Sequence, residues 1–286
     1  MKMPLKKISF AKMQGAGNDF VVINNMDLRI PLEQLPDMAR RVCQRRLSVG
    51  GNALMVADFP EKTGDFQMRF YNADGTIAEM CGNGARCIAR YAYDHGFAKA
   101  EMLIETVAGM VKAWRLDKRL YKIRLNDPDV LKLHYPVEVD GITYECSYVE
   151  LGCPGIPHAV VYYPGLAEKT EEELMDLGRK LRYHKAFPKG ANVNFYDLAG
   201  GNDVVEKTYE RGVEDFTLAC GTGSGSTATV LTLLGKVPGP RVHLAVPGGD
   251  LWVEVEREGD KVTGIYLIGD TNLVAQGELT DEDLVL

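Results

Sequence analysis

No apolar run in this sequence approaches the roughly 20 residues that a membrane-spanning helix needs, and the opening "MKMPLKKISF" lacks the long apolar stretch of a secretion signal. Both absences favour a cytosolic chain. There is no basic stripe either. Lysine and arginine are scattered, the acidic residues gather in "EKTEEEL" and "DEDL", and the net charge is −7. That pattern argues against a nucleic-acid surface and for a small polar substrate. The six cysteines, Cys43, Cys81, Cys87, Cys146, Cys153 and Cys220, form no CxxC pair and no zinc-type Cys/His spacing. In a reducing compartment most of them are expected to be buried thiols, so a working cysteine must be marked by its surroundings.

What the chain does contain is a copy of itself. At 286 residues it exceeds the usual size of one simple core, which makes two domains the leading expectation. Cys81-Gly82-Asn83-Gly84 recurs as Cys220-Gly221-Thr222-Gly223, an offset of 220 − 81 = 139. Val21-Val22 and Val160-Val161 share that offset, and Gly109 and Gly249 differ by 140. Three weak matches at nearly one spacing indicate duplication of one fold.

Short runs such as "FVVIN", "ALMVAD", "FQMRFYN", "MVKAWRL" and "YKIRLN" are β-branched and aromatic with Gly, Asp or Asn at their ends, and read as strands. Helical patterns cover "LEQLPDMARRVCQRR", "GARCIARYAYDHG", "EEELMDLGRKLRYH" and "GSGSTATVLTLLGK". Each half therefore reads as a mostly antiparallel sheet with one central helix, an α+β arrangement. The prolines of "LNDPDVLKLHYP" suggest domains of 1–130, carrying Cys81, and 131–286, carrying Cys220, with the last strand free to return to the first domain.

Each Cys-Gly-x-Gly stands where a helix begins. The N–H groups of a first helical turn favour an anion, and the same field favours thiolate over thiol. A helix end contributes about 0.3–1 kcal/mol, less than one pKa unit, so neighbours or substrate must add to it. If the copies face one cleft, Cys81 and Cys220 reach opposite sides of one ligand. A thiolate then removes a Cα proton, a thiol delivers one to the other face, and the helix amides hold the α-carboxylate as it gains enolate character. This scheme requires no metal or cofactor. Cys43, Cys87 and Cys146 read instead as small core residues.

The motifs "MQGAGNDFVVI", "FYNADGTIAEMCGNGARCIARY", "PHAV", "ANVNF" and "YERGVEDFTLACGTGSGS" resemble, in order and across nearly the whole chain, those of the diaminopimelate epimerase family. The resemblance implies two similar domains, each a barrel-like antiparallel sheet around a central helix, and epimerisation without pyridoxal phosphate. It implies Cys81 and Cys220 as the base and acid pair. It implies Gly82, Asn83, Gly221 and Thr222 at the α-carboxylate, and Asn18, Asn72, His158, Asn192, Glu210 and Arg211 as substrate-binding positions. It also implies that the two thiols can oxidise to a disulfide, and that a homodimer is common. Several positions depart from the family pattern. "GCPGIPH" replaces Gly-Asn-Pro-His, putting Cys153 or Ile156 where an asparagine is usual. Asn52-Ala53 and Ser224-Gly225 are unusual, and "ERGVEDFTLACGTG" holds one residue more than the common form. These changes touch the walls and spare the cysteines. The alternative they raise is a racemase of another amino acid on the same fold. A non-catalytic ligand-binding or thiol-redox protein is the alternative of another class.

Overall fold

The computed structural model describes residues 7–78 and 80–284. In chain order the first half contributes β1 (Ile8–Gly15), β2 (Asn18–Asn24), α1 (Asn25–Leu28), α2 (Leu35–Val42), β3 (Ala53–Asp58), β4 (Phe66–Asn72), α3 (Gly82–Asp94), β5 (Glu101–Thr106), β6 (Gly109–Arg115) and β7 (Leu120–Leu125). The second contributes β8 (Pro128–Lys132), the small hairpin β9 (Val137–Val139) and β10 (Ile142–Tyr144), β11 (Cys146–Leu151), β12 (Ile156–Tyr162), α4 (Glu171–Arg182), β13 (Asn192–Gly200), β14 (Asp203–Glu210), β15 (Asp215–Thr217), α5 (Gly221–Leu233), β16 (Arg241–Val246), β17 (Gly249–Glu258), β18 (Lys261–Asp270) and β19 (Asn272–Leu279). No helix among the described residues is long and apolar enough to cross a membrane.

These elements form two compact units, one running up to Ile123 and resuming at Asp270, the other spanning Arg124–Gly269. β8 pairs with β11 within the second unit. From Asp270 the chain rejoins the first unit as β19, antiparallel to β1. Both units share the order of two strands, a helical connection, two strands, a buried helix and a further run of strands, with α1 added in the first unit and β8–β10 and β15 added in the second.

Among the described residues most pairings are antiparallel, but each unit has two parallel ones. β2 runs parallel to β3 and β4 to β5 in the first unit; β12 runs parallel to β13 and β14 to β16 in the second. A parallel pair needs a long crossover, and each of these is bridged by a helical connection. The buried helices α3 and α5 are themselves two of those crossovers. In the first unit α3 packs on β1, β2, β3 and β6; in the second α5 packs on β11, β12, β13 and β17. With α2 and α4 covering the opposite faces, β3 and β11 are buried along their whole length, so they show no polar alternation.

Three helix ends illustrate local control. The "LEQLPDMARRVCQRR" helix is shorter than its pattern, since Pro36 confines the start to the first turn, and Gly50 and Gly51 N–H groups take the Val42 and Cys43 carbonyls at the other end. Helix α3 stops before Gly96, whose φ of 76° is open to glycine at little cost. Helix α4 begins with a capping box between Thr170 and Glu173.

Candidate active site

In the first unit, strand register gathers the rim around the start of α3. Ala53, at the beginning of β3, lies opposite both Phe20 of β2 and Asn72 at the end of β4. Asn18 opens β2, Asn52 accepts the Asp19 N–H at 3.0 Å, and the Asn72 amide donates to Thr76 Oγ1 at 3.0 Å. A Cβ added at Gly15 would stand 3.4 Å from the Asn83 carbonyl, so the β1–β2 turn lies against the first turn of α3. Cys81 is the N-cap of that helix, extended at φ −131° and ψ 120°, with Sγ accepting the Gly84 N–H at 3.5 Å. The first intrahelical bond runs from Ala85 N–H to the Cys81 carbonyl. Asn18, Asn72, Cys81, Gly82 and Asn83 are thus brought to one rim.

The second unit repeats the helix start and adds a buried polar network. Cys220 caps α5, and its first intrahelical bond runs from Ser224 N–H to the Cys220 carbonyl. Its Sγ lies 3.7 Å from Thr222 Oγ1. Burial, and then the nearby Glu210 carboxylate, push the Cys220 thiol well above its ordinary range. On β12, β13 and β14, alternation sends Ala159, Val161, Val193 and Phe195 into the apolar core beneath α4, and turns His158, Asn194, Glu206 and Thr208 toward α5.

Hydrogen bonds in this network determine one another. The Asn194 amide donates to Thr208 Oγ1 at 2.7 Å, which leaves its Oδ1 to face His158 Nδ1 at 2.9 Å. His158 Nδ1 must therefore carry the proton, and Nε2 accepts from the Thr222 hydroxyl at 3.1 Å. Thr222 is left to accept from the Cys220 thiol. Burial lowers the pKa of His158 to about 4, so the ring is neutral near pH 7. Behind it, Glu206 is wholly buried and accepts from Ser224 and Thr227, each at 2.5 Å. Burial raises its pKa to about 7, with those hydroxyls and the Asn194 amide opposing.

Glu206 gives a sign that can be checked. Its carboxyl ionises near 4.5 in the unfolded chain and near 7 in the fold, so between those values the folded state holds more protons. The stability this group lends is fully present below about 4.5 and is lost as pH rises through about 7. We expect Glu206→Gln to remove that slope, so that in urea melts its stability relative to wild type improves from pH 5 to pH 8. An equal difference at both values would contradict the assignment.

Other expected residues have narrower surroundings. Asn192 is buried; its Oδ1 accepts the Arg211 N–H at 2.8 Å and its amide donates to the Pro157 carbonyl at 3.3 Å, tying β12 and β13 to the turn after β14. Arg211 Nη1 donates to the Lys189 carbonyl at 3.1 Å, and Glu210 accepts from Thr217 at 2.9 Å. Cys153 is exposed in the β11–β12 turn. Burial pushes the thiols of Cys43, Cys87 and Cys146 up to about 12, in keeping with core roles.

Sequence reasoning did not single out Asn194, Glu206, Thr208, Thr227 or Arg86. The signals for the first four were the place of Asn194 inside "ANVNF" and Ser224, noted as unusual; a seryl hydroxyl there is half of a bond whose other half, Glu206, is 18 residues away.

Comparison with known proteins agrees with this architecture. A family model described as diaminopimelate epimerase matches residues 10–123 and 153–274. A diaminopimelate epimerase of Methanocella arvoryzae is 39% identical, covering 96% of this chain and 98% of the relative. Those of Hydrogenobaculum sp. and Archaeoglobus fulgidus are 35% and 34% identical, covering 95% and 90% of this chain and 98% and 93% of the relatives. Among solved structures, a phenazine biosynthesis protein of the PhzF family from Bacillus anthracis superposes with a TM-score of 0.73 at 16% identity, covering 96% of this chain and 99% of that one. A hydroxyproline epimerase from Agrobacterium vitis does so with 0.68 at 17%, covering 99% and 96%. At such identities the structures speak for the fold alone. The matched family model and the near full-length relatives speak for descent: this chain belongs to the diaminopimelate epimerase family.

Proposed function

We propose that this protein is an isomerase that interconverts LL- and meso-diaminopimelate by two-base proton transfer at Cα, with Cys81 and Cys220 as the transferring groups. The observation that carries the reading is the paired one: in each unit a cysteine is the N-cap of a buried helix, α3 or α5, and is followed by the same glycine spacing. The proposed scheme uses a thiolate at one helix start to remove the Cα proton, while the thiol at the other delivers one to the opposite face. The first-turn amides, those of Gly82, Asn83, Gly221 and Thr222 in the family pattern, hold the α-carboxylate as negative charge spreads into it. Asn18, Asn72, Asn192, Glu210 and Arg211 are assigned to the substrate's polar groups, the last two suited to an ammonium and a carboxylate.

His158 is assigned a neutral role, holding Thr222 through Nε2. The proposed chemistry draws on the two thiols and names no metal or cofactor. A reducing cytoplasm suits it, because a disulfide would remove both acid and base.

The test is to incubate reduced protein with LL-diaminopimelate in deuterated water and follow Cα by NMR. Two bases on opposite faces predict that early meso product carries deuterium while the remaining LL substrate stays protiated. Without exchange or product, and with fold and free thiols verified, the substrate assignment fails. A panel of L-amino acids then tests the racemase reading favoured by the altered walls at Cys153 and Asn52.

A further inference from the structure

Arg86 is the largest of the fully buried side chains, at 0% exposure, and it lies in the second turn of α3. It curls back toward the helix start. One terminal nitrogen donates to Asn83 Oδ1 at 2.9 Å and the other to the Gly82 carbonyl at 3.5 Å, while Nε meets no acceptor among the described residues. No carboxylate among the described residues forms an ion pair with it. Among the described residues, the ionisable groups acting on it are Cys87 on its own helix, Cys81 at the N-cap and Asp270 at the end of β18, with Arg90 one turn further along α3. Asp270 is more than half exposed and is engaged by Arg119 at 3.3 Å. Arg90 is committed to Asp94 and the Thr271 carbonyl. Cys87 is a core thiol held in its neutral form by burial.

This is an unfavourable place for a cation. A helix N-terminus already carries positive potential, so basic groups belong at the other end. A buried charge without an ionic partner destabilises the fold, and apolar replacement of such groups is often neutral or stabilising. An anion at the start of α3 would reverse the balance, and Cys81 stands at that start as the N-cap, its Sγ accepting the Gly84 N–H at 3.5 Å, one residue from the Gly82 carbonyl and two from the Asn83 side chain that Arg86 holds.

We propose that Arg86 is a positioning residue that holds Cys81 as a thiolate and fixes the Asn83 side chain at the helix start. Its charge adds to the helix field, which alone is worth less than one pKa unit. The proposal rests on the reading of Cys81 as a proton-transferring thiol, but its test needs no substrate. Iodoacetamide alkylation of the full-length reduced protein is followed from pH 5 to 9 by peptide mass spectrometry, with the rates at Cys81 and Cys220 read separately.

In Arg86→Met the Cys81 profile should move up by at least one pH unit, so that alkylation at pH 7 slows about tenfold, while the Cys220 profile stays in place. Arg86→Lys keeps the charge and loses the fork; it should leave the Cys81 profile within half a unit of wild type. An unchanged Cys81 profile in folded Arg86→Met overturns the proposal, as does an equal shift of both cysteines. If neither Arg86→Met nor Arg86→Gln yields folded protein, Arg86 is structural and the proposal also falls. Should the shift occur in a protein that leaves diaminopimelate untouched, the substrate assignment fails and the role of Arg86 stands.

Discussion

Cys81→Ser and Cys220→Ser should each lower LL-to-meso turnover by about 10³-fold or more, with the fold retained. Positioned proton transfer contributes roughly 10²–10⁴-fold, and a serine hydroxyl ionises too weakly to replace a thiolate base. The two losses should not multiply in the double variant, because removing either partner already interrupts one transfer that needs both. Both substitutions are nearly isosteric, so circular dichroism and melting should change little. The measurement is the NMR assay in deuterated water, run on both single variants and the double. Near wild-type turnover by either single variant would sink the two-base scheme. A loss confined to one variant would reassign the other cysteine to packing. Each cysteine tests one unit of the duplication, so equal losses would also show that the second copy is a working half and not a relic.

The duplicated frame was legible because its signals are local. Gly-bounded β-branched runs, helix patterns ending at Gly96 and Gly235, and two Cys-Gly-x-Gly motifs each lie within a few residues. The sheet was less legible. A reading by alternation favours antiparallel strands, and nothing within β2 or β12 shows that its next neighbour runs parallel; that follows from the helical crossover after each. The network behind Cys220 was not legible either, since His158, Asn194, Glu206 and Ser224 come from four separate elements. A buried glutamate inside "DVVEKTYE" looks like the polar face of an ordinary strand until α5 is laid across it. Arg86 shows the same difficulty on a helix: its sequence neighbours suggest a solvated arginine, and only tertiary burial makes its charge a problem that needs an anion.

The last glycine of each motif means something other than its sequence suggests, and the difference can be measured. Glycine beside a candidate anion site invites the reading that backbone must approach a ligand. In the structure, a Cβ on Gly223 would lie 2.1 Å from Asn194 Nδ2, and one on Gly84 would lie 2.9 Å from Met55 Sδ and 3.1 Å from Phe70. Both glycines let the buried helix sit against its own sheet. The neighbours differ in how far they can give way. Met55 has a flexible thioether that can shift by a few tenths of an ångström. Asn194 is held by His158 on one side and by Thr208 and Glu206 on the other, all of them buried. Displacing it leaves polar groups unsatisfied in the core, at about 1–3 kcal/mol on top of about 1–3 kcal/mol for overpacking. The gain from alanine's better helix propensity, about 1 kcal/mol, offsets only part of this. Gly223→Ala should therefore destabilise by about 3 kcal/mol, against about 1 kcal/mol or less for Gly84→Ala. It should also cut turnover by about 100-fold, because moving Asn194 frees the His158 ring and with it the Thr222 hydroxyl beside Cys220. Urea melts of both variants, with turnover measured on each, provide the comparison. Equal and small losses for the two would mean that Asn194 yields as easily as a methionine, and the network would then have no hold on the Cys220 thiol.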